Sequence, residues 1–260
     1  IKNSKNTGIK QCENGGEKRW LIGHLCDIEN FDDILCKLKQ TIGINLMIVA
    51  HPDDEILGCG GTIIKLKKDF NIKVLFMTDG VSARGKKSKE IIERKKSCKK
   101  LFKKLGISEP TFFNFPDNQM DSVPMLQIVK KIEHILKKIK PVTIFTHYAE
   151  CLNIDHQITC KSVLTACRPL KNSTVKKILS FEILSSTEWS KFKNKGFEPN
   201  YFIDISKQMK KKISSMKHYR RELRKYPHSR SIKAIEALAR FRGVSCGVKY
   251  AEGFYLNRLI

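Results

Sequence analysis

Short apolar runs alternate along the chain with longer stretches in which apolar residues return every three or four positions. "NLMIVA" (45–50) reads as a buried strand, and "GTIIKLKKDF" (61–70) after it has the period of a helix. A second strand, "NIKVLFMTDG" (71–80), leads into an amphipathic helix, "KSKEIIERKKSCKKLFKKLG" (87–106), stopped by the C-capping Gly106. "PTFFNF" (110–115) is extended, and a helix is expected from about Pro124 to Lys140 with Met125, Val129, Ile132 and Leu136 on one face. "VTIFTH" (142–147) is the next strand, with a helical stretch following Asp155 and His156. The tail from 207 to 242 reads as two helices, the second, "SIKAIEALARFRG" (231–243), ending at Gly243. Ahead of the first strand, "NFDDILCKLKQTIG" (30–43) reads as a helix carrying Ile34, Leu35 and Leu38.

Strands separated by single helices predict βαβ units, hence an α/β fold with a mostly parallel, doubly wound sheet. A chain of 260 residues can bury one full core. The division expected is an N-terminal extension (1–44) and one domain (45–260) whose end, from about 207, is helical. No apolar run approaches the roughly 20 residues of a membrane-spanning helix. The chain starts with "IKNSKNTGIK", without a signal-peptide pattern, so a cytosolic protein is expected.

Charge changes this picture in one respect. Fifty Lys and Arg against 26 Asp and Glu give a formal +24, densest in 86–104 and 207–225. Both stretches carry apolar residues at helical spacing, so they read first as solvated helix faces and second as surfaces for an anionic substrate or membrane. A peripheral association with an anionic membrane surface stays open, whereas no specific nucleic acid is expected, because no RNP-type aromatic pattern is present. Nine cysteines, at 12, 26, 36, 59, 98, 151, 160, 167 and 246, include no C-x-x-C pair and read as reduced, mostly buried thiols.

The candidate chemistry lies in "MIVAHPDDEILGCGG" (47–61), where a His and three acids follow a strand and precede a glycine cluster. In a parallel sheet, ligands bind beyond the carboxyl ends of the strands. His51, Asp53 and Asp54 sit there, with Gly58, Gly60 and Gly61 expected to front a helix and let backbone approach a ligand. Asp155 and His156 follow the strand 142–147 on the same edge. Two His and one carboxylate, His51, Asp54 and His156, suit a catalytic Zn²⁺, with Fe(II) as the alternative ion. Asp53, next to a ligand, is free to act as general base.

"AHPDDE" after the first strand, "TDG" after the second, "FPDNQMD" after the third and "NIDHQIT" after the next resemble the LmbE/PIG-L family of zinc-dependent N-acetylglucosamine deacetylases. The resemblance spans roughly residues 45–185, with echoes in "EALARFRG" and "KYAEGF". It implies a Rossmann-like three-layer α/β/α sandwich, His51, Asp54 and His156 as metal ligands, and Asp53 as base. The implied substrate is an N-acetylated amino sugar, free or phosphorylated, nucleotide- or lipid-linked. Where some members carry a His two residues before the motif Asp, this chain has Asn153, a weak oxyanion stabiliser; His147 at the strand end is the substitute. Arg84 is a candidate grip on a substrate phosphate or hydroxyl, Asp117 a pocket residue, and Asp155 an acid orienting His156 or another site residue. Two readings compete: an Fe(II) oxygenase, against which the helix-rich alternation counts, and a non-catalytic basic module for RNA or anionic membrane.

Overall fold

The computed structural model describes residues 43–85, 88–190 and 196–260. The N-terminal extension and its expected helix, but for their last residues, lie outside the described residues. Seven strands form one sheet: β1 (Ile44–Val49), β2 (Asn71–Thr78), β3 (Thr111–Phe115), β4 (Thr143–His147), β5 (Lys177–Phe181), β6 (Tyr201–Asp204) and β7 (Ala251–Leu259). Six α-helices join them: α1 (Asp54–Leu66), α2 (Ser88–Leu105), α3 (Met125–Ile139), α4 (Ile154–Ala166), α5 (Met209–Met216) and α6 (Ile232–Val244). Strand order is β3-β2-β1-β4-β5-β7-β6. The first five run parallel, and β7 is antiparallel to both β5 and β6.

Successive residues of a strand point to opposite faces, so a sheet covered on both sides needs apolar residues at every position. In β1, Met47 and Val49 enter a core shared with α1, α2, α5 and α6, while Leu46 and Ile48 enter a second core with α3 and α4. The result is the expected three-layer α/β/α sandwich. Chain order reverses between β1 and β4, and at such a switch point the loops beyond the two strands part to leave a crevice.

Three expectations are corrected. Helix α1 starts at Asp54, so Gly58, Gly60 and Gly61 lie inside it rather than in front of it. A Cβ on Gly58 would stand 2.2 Å from a ring carbon of Phe181, and one on Gly61 2.6 Å from Ile205. These glycines let a helix press onto its neighbours. On α3, Met125 is 42% exposed and Ile128 joins Val129 and Ile132 in the buried stripe. The C-terminal part is not wholly helical, since β7 adds nine residues to the sheet, and α6 continues through Gly243, packed against the carbonyls of Val248 and Lys249, to Val244. Of the described cysteines, five are buried and Cys246 is exposed, all free. No helix among the described residues is long and apolar enough to cross a membrane.

Candidate active site

β1 ends at Val49, and the chain must turn into α1 within four residues. Asp53, the residue before the helix, takes φ 139°, a conformation that a side chain rarely adopts. Strain of this kind persists where surrounding contacts enforce it. Here Asp54 Oδ2 accepts the His51 backbone N–H at 2.9 Å, while the Ile56 and Leu57 N–H groups close on the Asp53 carbonyl. Gly80, at φ 68°, passes so close that a Cβ would meet His51 and Pro52 at 3.1 Å. That contact fixes the glycine of "TDG" physically.

His51 Nδ1, Asp54 Oδ2 and His156 Nε2 form a triangle with edges of 3.1, 3.3 and 3.3 Å. Ligand atoms about 2.0–2.1 Å from a tetrahedral zinc stand roughly 3.3 Å apart, so the triangle has the size of one face of that polyhedron. The protons agree. His51 Nε2 lies 3.1 Å from Asp155 Oδ2 and 3.3 Å from Asp117 Oδ1, and only a nitrogen bearing hydrogen can face two carboxylates. His51 Nδ1 then turns a lone pair toward the Asp54 oxygen. His156 Nδ1 lies 3.2 Å from Cys151 Sγ, which leaves its Nε2 facing the same point. Three acceptors aimed at one another call for a cation. Asp54 Oδ1, buried, has no hydrogen-bond partner. The residues therefore fit a metal ion.

The same demand appears in the ionisation of the groups. Burial opposes charge on all three, but the carboxylates around His51 raise its pKa well above the ordinary value, and Asp54 and Cys151 hold His156 up at about 9. Asp54 is correspondingly held well below the carboxylate range by His156 and His51. A second candidate cluster, His51 with Asp117 and Asp155, lies on the Nε2 side of the same ring. Its acids are already satisfied. Asp155 accepts from the backbone N–H of Asn118 and Met120, and Asp117 from Ala83 N–H and from Thr78 Oγ1. Asp155 thus orients His51, with Asp117 beside it, rather than His156.

Both residues considered for oxyanion stabilisation have an acceptor atom engaged by backbone, while His147 Nδ1, buried, has no hydrogen-bond partner. Asn153 is the N-cap of α4: its Oδ1 accepts from Asp155 and His156 N–H, and its Nδ2 donates to Asn118. His147 Nε2 accepts the Ala50 N–H at 2.8 Å, and its ring stacks on His156 at 3.9 Å, 8° from parallel. Burial and the adjacent His156 hold its pKa well below the ordinary value, so it is a neutral plate behind a candidate ligand.

Asp53 is 1% exposed, and its two oxygens receive Arg94 and Arg230, each at 2.9 Å. Burial pushes its pKa up against the pull of both guanidiniums. Glu222 collects the same two arginines and a forked contact from Arg84, and together they overcome burial to hold its carboxyl at about 2. Arg84, whose side chain is 55% exposed, therefore spends its fork on Glu222. Sequence reasoning missed Arg94, Arg230, Glu222 and Cys151. One signal for Arg94 was available: Ile91, Arg94, Cys98, Leu101 and Leu105 share a helical stripe, so a cation lies on an apolar face.

The family model described as PIG-L: GlcNAc-PI de-N-acetylase matches residues 46–167. An uncharacterized deacetylase, YaiS, of Escherichia coli K12 is 29% identical over 171 residues, covering 64% of this chain and 85% of that one. A probable N-acetyl-alpha-D-glucosaminyl L-malate deacetylase 2 of Bacillus cereus is 28% identical over 131 residues, 46% of this chain and 59% of its own length. Among solved structures, N,N'-diacetylchitobiose deacetylase from Pyrococcus horikoshii superposes with a TM-score of 0.68 at 21% identity, covering 90% of this chain and 95% of that one, which shows the shared fold. The match over 46–167, which contains every candidate metal ligand, makes the chain similar to the PIG-L (LmbE-like) deacetylases over that span.

Proposed function

We propose that the chain is a zinc-dependent hydrolase that removes the acetyl group from an N-acetylated amino sugar of the N-acetylglucosamine type. The observation that carries this reading is the triangle of His51, Asp54 and His156 with the orphaned Asp54 Oδ1 beside it. Zinc held by these three residues would supply Lewis-acid activation of a water and of the acetyl oxygen. The chain's own residues do the rest. Asp155 and Asp117 fix the His51 ring, and Cys151 fixes the His156 ring, so both imidazoles offer lone pairs to one point. Asp53 takes a proton from the attacking water and returns it to the amide nitrogen as the C–N bond breaks, releasing acetate and a free amine. Arg94 and Arg230 aim that carboxylate and oppose the burial that raises its pKa.

Relatives differ in what the sugar carries: the Bacillus cereus protein is named for an L-malate conjugate, the Pyrococcus horikoshii enzyme for diacetylchitobiose. The acetylated sugar is the common part, and it is the part proposed here. The test is acetate release from a panel of N-acetylglucosamine conjugates by protein stripped with chelator and reloaded with Zn²⁺, beside Asp53→Ala. Release that returns with zinc and is absent in a zinc-loaded Asp53→Ala supports metal and base together. A protein that takes up one zinc and frees no acetate from any conjugate would refute the substrate while leaving the site.

A further inference from the structure

We propose that Arg230 is the recognition residue for a negatively charged group, phosphate or carboxylate, on the far side of the substrate sugar. This inference rests on the deacetylase reading above for its location and on the arginine cluster for its chemistry.

Arg84, Arg94 and Arg230 converge on two carboxylates, Asp53 and Glu222. Three cations against two anions leave one positive charge uncompensated in a site whose acids are 1% and 3% exposed. Arg94 is enclosed, with contacts to Asp53, Glu222 and the Pro52 carbonyl. Arg230 differs from it: its side chain is 19% exposed, so it forms the accessible edge of the cluster. Its Nε–H donates to Ser185 Oγ at 2.6 Å, and Nη1 donates to Asp53 and Glu222. Nη2 has no partner among the described residues. A guanidinium anchored on one side with donors open on the other is pre-organised for a planar or tetrahedral oxyanion.

The neighbourhood supports the same ligand. The Arg230 backbone N–H donates to His228 Nδ1 at 3.0 Å, so a neutral His228 carries its proton on Nε2 as a further donor. Trp189, 49% exposed, stands edge to face on that imidazole with ring centres 5.9 Å apart and gives the rim a flat wall. The turn bearing Ser185 and Trp189 is built: Glu188 accepts the Ser185 and Ser186 N–H groups, and Ser186 Oγ holds Cys151, the partner of His156. Arg230 therefore touches the proposed base on one side and is braced, on the other, by the turn that supports a metal ligand.

Two measurements test this. In the first, kcat/KM is compared for the methyl glycoside, the 1-phosphate and a glycolic-acid glycoside of N-acetylglucosamine, using zinc-loaded wild type, Arg230→Gln and Arg230→Lys. Wild type should prefer the charged conjugates. Arg230→Gln should erase that preference, losing roughly 10- to 100-fold more on them than on the neutral glycoside, as expected for one charge-assisted pair. Arg230→Lys, which keeps the charge without the fork, should fall between. A preference for only one of the two anions supports the proposal and names the source. Equal losses on charged and neutral conjugates would overturn it, since Arg230 would then serve Asp53 alone. In the second, inorganic phosphate is titrated calorimetrically into the zinc-free protein, a readout that needs no turnover and so survives failure of the deacetylase reading. Binding weakened at least tenfold by Arg230→Gln supports the site; binding unchanged by the substitution, or absent in wild type, overturns it. Full zinc uptake by the variant reports that the metal triangle is intact.

Discussion

Gly58→Ala should damage the protein in spite of lying in a helix, where alanine is worth about 1 kcal/mol more than glycine. A Cβ at position 58 falls 2.2, 2.6 and 2.8 Å from three ring carbons of Phe181. Ordinary carbon contacts begin near 3.5 Å, so ring and helix must separate by on the order of 1 Å. Phe181 is 1% exposed on β5 and has no space to enter. Overpacking of this kind costs about 1–3 kcal/mol and more when backbone must yield. Set against the helix gain, the net loss is about 1–2 kcal/mol, or roughly 2–8 °C of melting temperature for a domain of this size. The damage should also reach the metal site. The Phe181 ring lies 5.1 Å from His147, whose ring stacks on His156. Zinc affinity should therefore fall roughly tenfold, the scale of lost support for a ligand. Thermal unfolding and competitive zinc titration of Gly58→Ala, Phe181→Leu and the pair together read both effects. The smaller leucine should relieve the clash, so the pair should lose at least about 1 kcal/mol less than the two single losses added. A Gly58→Ala protein as stable as wild type, or strictly additive losses, would refute the reasoning.

Asp54→Ala and His156→Ala should each abolish stoichiometric zinc binding, measured by metal analysis after gel filtration, while the far-UV spectrum keeps its helix signal. Cys151→Ala should weaken zinc roughly 10- to 100-fold by freeing the His156 ring, and Cys151→Ser, which keeps a hydrogen-bonding atom there, should recover part of it; equal affinities in all three proteins would show that the thiol supports nothing. Glu222 gives a pH test. Its folded pKa of about 2 lies below the ordinary 4.5, so its stabilisation is complete above 4.5 and lost as pH falls through 2. After allowance for partial solvent screening, wild type should exceed Glu222→Gln by about 2 kcal/mol at pH 7 in urea unfolding, and the gap should close between pH 4.5 and 2. A constant gap would mean that the carboxylate's charge is not what the arginines hold. Lys212→Met should cost about 3–5 kcal/mol, because it strands Glu252 in an ion pair whose side chains are 4% and 3% exposed.

How far the sequence could be read depended on how local each signal was. The candidate metal triangle was legible because its parts sit in two short strand-end segments: His51 and Asp54 are three residues apart, and a parallel sheet brings the loop with His156 to the same edge. The short apolar runs that predicted β1 to β4 work for the same reason, since a doubly covered strand is apolar at most of its positions. The partners of Asp53 were not legible, because Arg94 and Arg230 lie 41 and 177 residues away. Among 50 basic residues neither stands out by type, and only Arg94 by position. The surroundings of His147 and Asn153 were illegible for a different reason. Both lie where the sequence put them, and backbone N–H groups engage their acceptor atoms, which no side-chain pattern announces.

The glycines show the same limit and explain why the end of the chain matters to its beginning. Helix α1 must carry Asp54 in its first turn while lying against Phe181 and Ile205, and it does so by breaking at Cys59, where φ is −140°. A regular helix would bond the Gly61 N–H to the Leu57 carbonyl and the Thr62 N–H to the Gly58 carbonyl. Instead Gly61 and Thr62 donate to the two oxygens of Glu252 at 2.8 and 2.7 Å, and Lys212 Nζ donates to the Leu57 carbonyl and to Glu252. One residue of β7 thus caps the second half of α1, and one residue of α5 closes the first. The buried pair satisfies backbone groups that no water reaches, so neither member can be replaced alone without an orphan. Residues beyond 207 are therefore part of the device that sets the angle of the first turn, and with it the position of Asp54 in the triangle.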